Sequence, residues 1–392
     1  MSGIVLVDRA DAERLAPLTS LRPQGALRAG ARLVHERWAF AFGVPVTGLV
    51  AREALAGFAE PGQPPLLHDD DEVPAGTIVA WADVAPSLAR VDVHADAWDL
   101  RGEFPVAMRV ARATRAGALR DWVPSRELAR VVSLSGVELA QPWHVIETLP
   151  GLLAADARAI AETMAARPLP PHVVVLGDHP VRIAADAQVE PFTLLDARAG
   201  AIVIEAGAIV RSHSRLVGPF VLCAQAHWLG GEGHTSVIGP HCKVHGEVST
   251  SIVAGYANKA HDGFLGHSYL APWSNLGAGT ITSNLKNTYG TVQFAGTDTG
   301  LQFLGAIVGD HAKTGIGTRL TTGTRVGAGA NVVGDGIAGP DVPPFAWGVR
   351  GDVTDIARFT ATVRKVMARR SVFPSSAHLA MLARRHAVLA AR

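Results

Sequence analysis

VGDHAKTGIGTRLTTGTRVGAGANV, Val308 to Val332, repeats itself every six residues. Val308, Thr314, Leu320, Val326 and Val332 mark the period, and Gly309, Gly315 and Gly327 directly follow three of them. Six is neither the 3.6 of a helix nor the 2 of a simple strand. It is the period of a triangular parallel β-helix, in which each six-residue unit forms one flat side. One aliphatic side chain per side points into a narrow interior. A small residue sits beside it, because the corner is tight and a positive φ suits glycine. Coils then stack by parallel backbone hydrogen bonding.

The period extends towards the N-terminus. Leu270, Leu276 and Thr282 obey it, as do Ile238, Val244 and Thr250, and Ile204 and Val210. Ile183, Val189, Leu195 and Ala201 fall six apart before a slip. Coincidence in an Ala/Gly-rich chain is the alternative, and a dozen recurrences argue against it. Leu222 to Ser236 and Ser283 to Gly305 break the period and are expected to form loops on one face. Gly315-Ile316-Gly317-Thr318-Arg319 looks like a phosphate loop in isolation, but it keeps the repeat register and reads as coil turns.

Composition agrees. The chain has 392 residues, enough for two or three domains. Gly is abundant at 41 residues and aromatics make up 6 %, which suits a solenoid better than an aromatic-cored sandwich. Lys+Arg and Asp+Glu nearly cancel at 36 and 35, so no net field argues for a nucleic-acid partner. The two cysteines, Cys223 and Cys242, make neither a disulfide framework nor a CxxC metal pair, which favours a reduced, cytoplasmic setting. The first residues lack the basic start and long apolar core of a signal peptide. No apolar run approaches the ~20 residues of a membrane span, so no membrane partner is expected.

Ahead of the coil, Ile4-Val5-Leu6-Val7 reads as a buried strand, followed by a helical or loop segment, Asp8 to Leu15. Gly117 to Arg167 reads as helical, with Leu153, Ala157, Ile160 and Met164 on one face. Pro168 to Pro171 end it. Val173 to Asp178 reads as a strand leading into the coil. Three domains are therefore expected: residues 1–175, 176–350 and 351–392. The last is read as two amphipathic helices, Asp352 to Arg370 and Ser375 to Arg392, with Thr354 or Asp352 as the first N-cap. Such helices suit the open end of a coil or a neighbouring subunit. His68-Asp69-Asp70-Asp71-Glu72 is an acidic cluster, either an exposed loop tip or a divalent-cation site.

Arg14, Leu15, Pro17, Leu18, Thr19, Pro23, Leu27 and Gly30 match the opening of sugar-1-phosphate nucleotidyltransferases, which the first domain resembles over about 25 residues. That resemblance implies an α/β nucleotidyltransferase-like fold, with Mg2+ and a nucleoside triphosphate as its associated ligands. The glycine-rich phosphate loop of those enzymes is absent. Asp8 to Glu13 stands in its place, and Gln24 replaces a lysine. Arg14, Arg22 and Arg28 remain as either phosphate ligands or ordinary solvated arginines.

In the coil, Val217-Gly218-Pro219-Phe220, Asn258-Lys259-Ala260-His261 with Phe264-Leu265-Gly266, and Asn275-Leu276-Gly277-Ala278-Gly279-Thr280 with Asn284 occur in order. Residues 180 to 335 thereby resemble the acetyltransferase half of the bifunctional GlmU enzymes that make UDP-N-acetylglucosamine. The whole chain resembles a divergent GlmU-like group named for sugar nucleotidyl transfer. By that resemblance the β-helix is left-handed and the assembly a homotrimer. Acetyl-CoA is the co-substrate, and the acceptor is a sugar phosphate or nucleotide-sugar. His261 is the general base, since an amine attacking a thioester must lose a proton. Asn275 contacts the acceptor, with Phe264, Lys259 and Lys286 beside it. Ala278, Asn284 and Leu285 hold the acyl-CoA. An arginine and a lysine that grip the sugar phosphate in the family are missing here, the lysine position being Ser249. Phe264 and Leu285 replace tyrosines. Lys259, Lys286 and Lys313 are either substitutes or solvated lysines, and the acceptor sugar stays open. Two other readings compete. One is a non-catalytic sensing or assembly protein with degenerate domains. The other is a metal enzyme with zinc held by histidines among His241, His245, His261, His267 and His311.

Overall fold

The computed structural model describes residues 3–100, 102, 104–125, 130–334, 336–348 and 352–391. Ile4–Val7, the first apolar run, is the heart of a six-stranded sheet. It pairs in parallel with Val46–Val50 on one side and Ile78–Trp81 on the other. Pro105–Arg109 then pairs antiparallel with Ile78–Trp81 and Ala97–Asp99, and Val131–Ser133 forms the far edge. Helix Val34–Phe42 ends where Gly43 adopts φ 69°, a left-handed cap that glycine takes without a Cβ clash. Its Arg37 makes a bidentate pair with Asp156 at 2.6 and 2.9 Å, both side chains fully buried. That pair ties it to helix Leu149–Thr163.

The helical expectation for Gly117 to Arg167 holds only for its end. Leu153, Ala157 and Ile160 do lie on the buried face of Leu149–Thr163. Val131–Ser133 and Gly136–Glu138 are strands, as their β-branched residues favour, and 126–129 lie outside the described residues.

From Val173 the chain is a three-faced parallel β-helix. Val173–Leu176 is its first rung rather than a lead-in, pairing in parallel with Thr193–Asp196. Face A stacks nine parallel strands, from Val181–Ile183 to Asp341–Val342. Face B runs through residues 188–189, 209–210, 227–228, 243–244, 258–259, 275, 313–314, 331–332 and 347. Face C starts at Val173–Leu176, reaches Phe264–Gly266, and continues at 281–282, 319–320 and 337–338. The six-residue series supplies the interior: Val189, Leu195, Ile204, Val210, Ile238, Val244, Leu270, Leu276, Leu320, Val326 and Val332 form one core. Trp228 takes an interior place given elsewhere to smaller residues. Gly233 makes room for it, since a Cβ there would meet Phe220 and Trp228 at 2.7 and 2.9 Å. Thr250 does not join the series: it has φ 46° and turns a corner.

The two breaks differ. Ser283 to Gly305 leaves the coil as a hairpin, Gln293–Phe294 with Thr297–Asp298, and Phe294 packs on Trp143 of the first domain. Leu222 to Ser236 is not a loop. His227–His234 is continuous strand that wraps a corner at Gly230 and Gly231, with φ 121° and 95°.

Face A is buried on both sides. Val203, Val221, Val237, Ile252, Tyr269 and Ile307 join the core of the first domain, which lies against it. Helices Ile356–Ala368 and Ser376–Leu389 do not close the coil's end. They fill the seam, where Phe359 packs on Phe345 at 5.0 Å and Arg385 reaches Glu13 and the Ser20 carbonyl. The caps are Asp355 and Ser375, because Asp352 is used in a strand pair with Trp347. No helix among the described residues is long and apolar enough to cross a membrane.

Candidate functional site

Two regions gather the chemistry. In the coil, Asn258–Lys259 ends face B, residues 260–263 turn the corner, and Phe264–Gly266 opens face C. His261 stands exposed on that corner. Its backbone is held from within: Lys259 Nζ donates to the carbonyls of His245 and His261, each at 2.7 Å. Burial pushes the Lys259 ammonium down to about 8, and Asp262 opposes the shift. Lys259 is 2 % exposed, so it is corrected from acceptor ligand to corner strut. Its alternation partner Asn258 points outward, as a strand requires.

Asn275 is exposed on the next rung of face B, bridged to Asn258 and Lys313. The Gly277-Ala278-Gly279-Thr280 corner follows. A Cβ on Gly277 would meet the Gly315 carbonyl oxygen at 2.5 Å, and Gly279 has φ 69°. Gly277 is thus demanded by coil stacking and Gly279 by its left-handed backbone. Thr280 Oγ1 lies 2.7 Å from Thr314 Oγ1, locking the corner. Ala278, half-buried, is left to meet a ligand beside the exposed Gly279 backbone.

The residues read as acyl-CoA ligands do not all gather with His261. Asn284 Nδ2 lies 2.8 Å from His267 Nδ1, and the His267 ring stacks on Phe303 at 5.2 Å. This group sits at the corner between faces C and A, with Leu285 bridged to Phe303. Face C separates it from His261, with Phe264 between. Lys286 Nζ donates to the Thr291 carbonyl within its own loop. His267 carried no repeat signal beyond its glycine and serine neighbours; burial depresses its pKa.

The five histidines weighed as zinc ligands are dispersed. His241 and His311 belong to a stack along a third corner with Tyr256 and Trp273. Among the described residues no three His, Cys, Asp or Glu side chains form a metal-sized group.

The second region is a cavity of about 800 Å³ at the C-terminal ends of Ile4–Val7 and Ile78–Trp81. Arg9, Arg14, Trp81, Arg120, Trp122 and Glu138 line it. This is where ligands enter open parallel sheets. Beneath it Asp83, fully buried, accepts from Arg9 Nε at 3.0 Å and Arg14 Nη2 at 2.6 Å. Burial nevertheless raises the Asp83 pKa, and the two arginines oppose this. Asp8 is pushed up to about 7 by burial; its Oδ1 accepts from the Gln24 amide while Oδ2 has no partner. Gln24, where a lysine was expected by resemblance, is buried and fixes the loop by accepting from the Arg9 amide at 2.8 Å.

Of the three proposed phosphate arginines, only Arg14 borders this cavity. Arg22 is buried in the seam, bonded to Asp310 and to Glu60. Arg28 is buried too, donating to the Ala254 and Ala31 carbonyls. Both readings are corrected: interdomain hydrogen bonding consumes these guanidinium groups. Asp11, Asp83 and Glu138 each lie beside a guanidinium. As built, these carboxylates do not fit Mg2+, which needs oxygen ligands not already neutralised. Asp83 was legible in principle, as an acid just past the apolar run Ile78-Val79-Ala80-Trp81. The acidic cluster at 68–72 is a loop tip, with Asp69 paired to Arg120.

Residues 4–164 match the family model described as sugar nucleotidyl transferase. A bifunctional sugar-1-phosphate nucleotidylyltransferase/acetyltransferase of Sulfurisphaera tokodaii is 31 % identical over 100 residues, covering 24 % of this chain and 25 % of the relative. The bifunctional protein GlmU of Polaromonas naphthalenivorans is 31 % identical over 186 residues, 47 % of this chain and 33 % of the relative. That of Synechococcus elongatus is 30 % identical over 132 residues, 33 % and 24 %. The chain spans 24 to 33 % of the length of these curated relatives. A UDP-N-acetylglucosamine acyltransferase of Arabidopsis matches with 13 % identity and a TM-score of 0.21, covering 46 % of this chain and 70 % of that one. The acyltransferase LpxA of Bacteroides fragilis matches with 11 % identity and 0.24, covering 55 % and 94 %. Scores this low add nothing to the strand pairing above.

Proposed function

We propose that this chain, GlmU-like in sequence and in its order of domains, is a cytoplasmic N-acetyltransferase that acts on an amino-sugar phosphate or nucleotide-sugar with acetyl-CoA. One observation carries the reading: the exposed His261 imidazole on a rigid corner, beside the outward Asn258 and Asn275 of adjacent rungs. The amine nitrogen attacks the thioester carbonyl, and a bond forms between nitrogen and the acyl carbon. His261 takes the proton the nitrogen loses. The carbon–sulfur bond then breaks, and the departing thiolate is protonated to give free CoA. Asn275 orients the acceptor, and the Ala278 corner leaves room for the pantetheine arm.

The corner is open to solvent in a single chain. A homotrimer, in which a neighbouring coil walls each corner, supplies the enclosure that excludes water. The test is release of free CoA by purified protein with acetyl-CoA and amino-sugar phosphates. His261→Ala is expected to lower the rate by about 10²- to 10⁴-fold. An unchanged rate removes His261 as base.

The first-domain cavity supports a second reading, that of a nucleotide-sugar binding module. Its volume suits such a ligand, and the pairing of Asp83 with Arg9 and Arg14 favours binding without transfer. Pyrophosphate release from UTP and a sugar 1-phosphate would instead favour nucleotidyl transfer.

A further inference from the structure

Face B presents more than the coil needs. His227, Lys243, Asn258 and Asn275 occupy consecutive rungs in register. Their following residues, Trp228, Val244, Lys259 and Leu276, are buried, so these four side chains point outward. Neighbouring rungs lie ~4.8 Å apart, which puts the Lys243 amine within reach of both its neighbours. A further group arrives from the far end of the chain. Arg370, just past helix Ile356–Ala368, donates Nη2 to Asn258 Oδ1 at 2.9 Å.

Among the described residues, no carboxylate is ion-paired with His227, Lys243 or Arg370. Of the acids on the adjoining coils, Glu190 pairs with Arg211, Asp262 lies 3.0 Å from His245, and Glu247 lies past the corner on face C. His227 is depressed by burial first, then by the charges of Lys243, Arg211 and Arg370. Cations gathered on a flat face without a counter-charge repel one another, and a dianion relieves them. A planar guanidinium beside a compact ammonium is phosphate chemistry. His261 lies three residues beyond Asn258 on the same coil, ~10 Å at most along the backbone. The span of an amino-sugar phosphate fits within that separation.

We propose that Lys243, Arg370 and His227 form a phosphate site on face B that serves the His261 corner. Its use in acetyl transfer rests on the preceding reading; its existence does not. The site takes a phosphate monoester, carried either by the acceptor sugar or by coenzyme A. It replaces the missing basic residues at Ser249 and after Phe220. The seam helices acquire a purpose, since they deliver Arg370.

The test is calorimetric titration of the full chain with glucosamine 1-phosphate against glucosamine, and with coenzyme A against dephospho-coenzyme A. Lys243→Gln and Arg370→Gln are compared with wild type, with Arg370→Lys as the conservative rescue and Lys365→Gln as a surface control. Thermal melting verifies that each variant is folded. Both glutamine variants are expected to weaken a phosphorylated ligand about tenfold or more and leave its dephosphorylated partner unchanged. Loss confined to the sugar phosphate assigns the site to the acceptor, and loss confined to coenzyme A assigns it to the donor. Wild-type affinity for every phosphorylated ligand in both variants, or no preference for phosphate in wild type, overturns the site. If the variants lose phosphate binding but wild type transfers no acetyl group, the site stands and the acetyltransferase reading falls. If wild type transfers and both variants keep its KM, the site falls and that reading stands.

Discussion

The first-domain cavity and the His261 corner are opposites. The cavity is a concave, half-open cleft, yet its charges are answered internally: Asp83 holds Arg9 and Arg14, and Asp11 holds Arg14 again. The corner has no walls, yet among the described residues its cations on face B have no carboxylate partner. Shape and unmet charge have separated into different domains. A pocket that satisfies itself needs a ligand strong enough to displace its own salt bridges. An open face with unpaired cations needs only to be covered. The difference teaches that cavity size alone is a poor guide to where chemistry happens in this chain.

The comparison breaks most readily at the seam, which decides which arginines are free. Arg22→Met leaves Asp310 buried without its cation, and Asp310 already sits at about 6 because burial raises it. Breaking such a pair costs ~3–5 kcal/mol. Chemical denaturation of wild type and variant measures this. A loss below ~1 kcal/mol would mean the guanidinium is not committed to the seam and would return it to the phosphate ligands.

The next effect sharpens the cavity side. Asp8 has a folded pKa of about 7 against 3.8. The folded state therefore binds its proton more tightly than the unfolded chain. That contribution is fully present below pH ~4 and is lost as pH rises through about 7, amounting to up to ~4 kcal/mol. Asp8→Asn should flatten the stability-versus-pH profile between about pH 4 and 7. An unaltered slope means that the orphaned Oδ2 finds a partner and that the cavity floor is less self-contained than described.

The fold was far more legible than the site, for physical reasons. A solenoid interior is one-dimensional: each rung asks the same of its inward residue, so Val308, Leu320 and Val326 announce themselves by spacing alone. Face A was legible too, because Ile202-Val203-Ile204 is apolar on both sides, as a strand covered on both faces must be. The site depends on contacts across long sequence separations. Nothing local to Arg22 says that Asp310 will meet it, and nothing in Arg370 says that Asn258 will. Lys259 misled for a related reason. A lysine at an inward position breaks the apolar rule, and only the two corner carbonyls it serves explain it.

Smaller effects sharpen the corner. Gly277→Ala pushes a methyl against the Gly315 carbonyl, at a cost of ~1–3 kcal/mol. In variant that remains folded, acetyl transfer should persist with KM for acetyl-CoA within a few-fold. That outcome assigns the glycine to stacking, whereas a collapse of kcat without loss of stability assigns it to the ligand.

The smallest prediction links the seam to the open face. Asp355 Oδ1 accepts from the Arg358 amide at 2.9 Å and so caps helix Ile356–Ala368. Asp355→Ala should cost ~1 kcal/mol, the usual value of such a cap. The helix is anchored elsewhere by Phe359, Val363 and Met367, all buried, so the loss should stay local to its first turn. Arg370 lies at the opposite end, and its bond to Asn258 should survive. Phosphate affinity measured by titration should then match wild type despite the lower melting temperature. A variant that loses both together would mean that Arg370 is positioned by the whole helix rather than by its buried face.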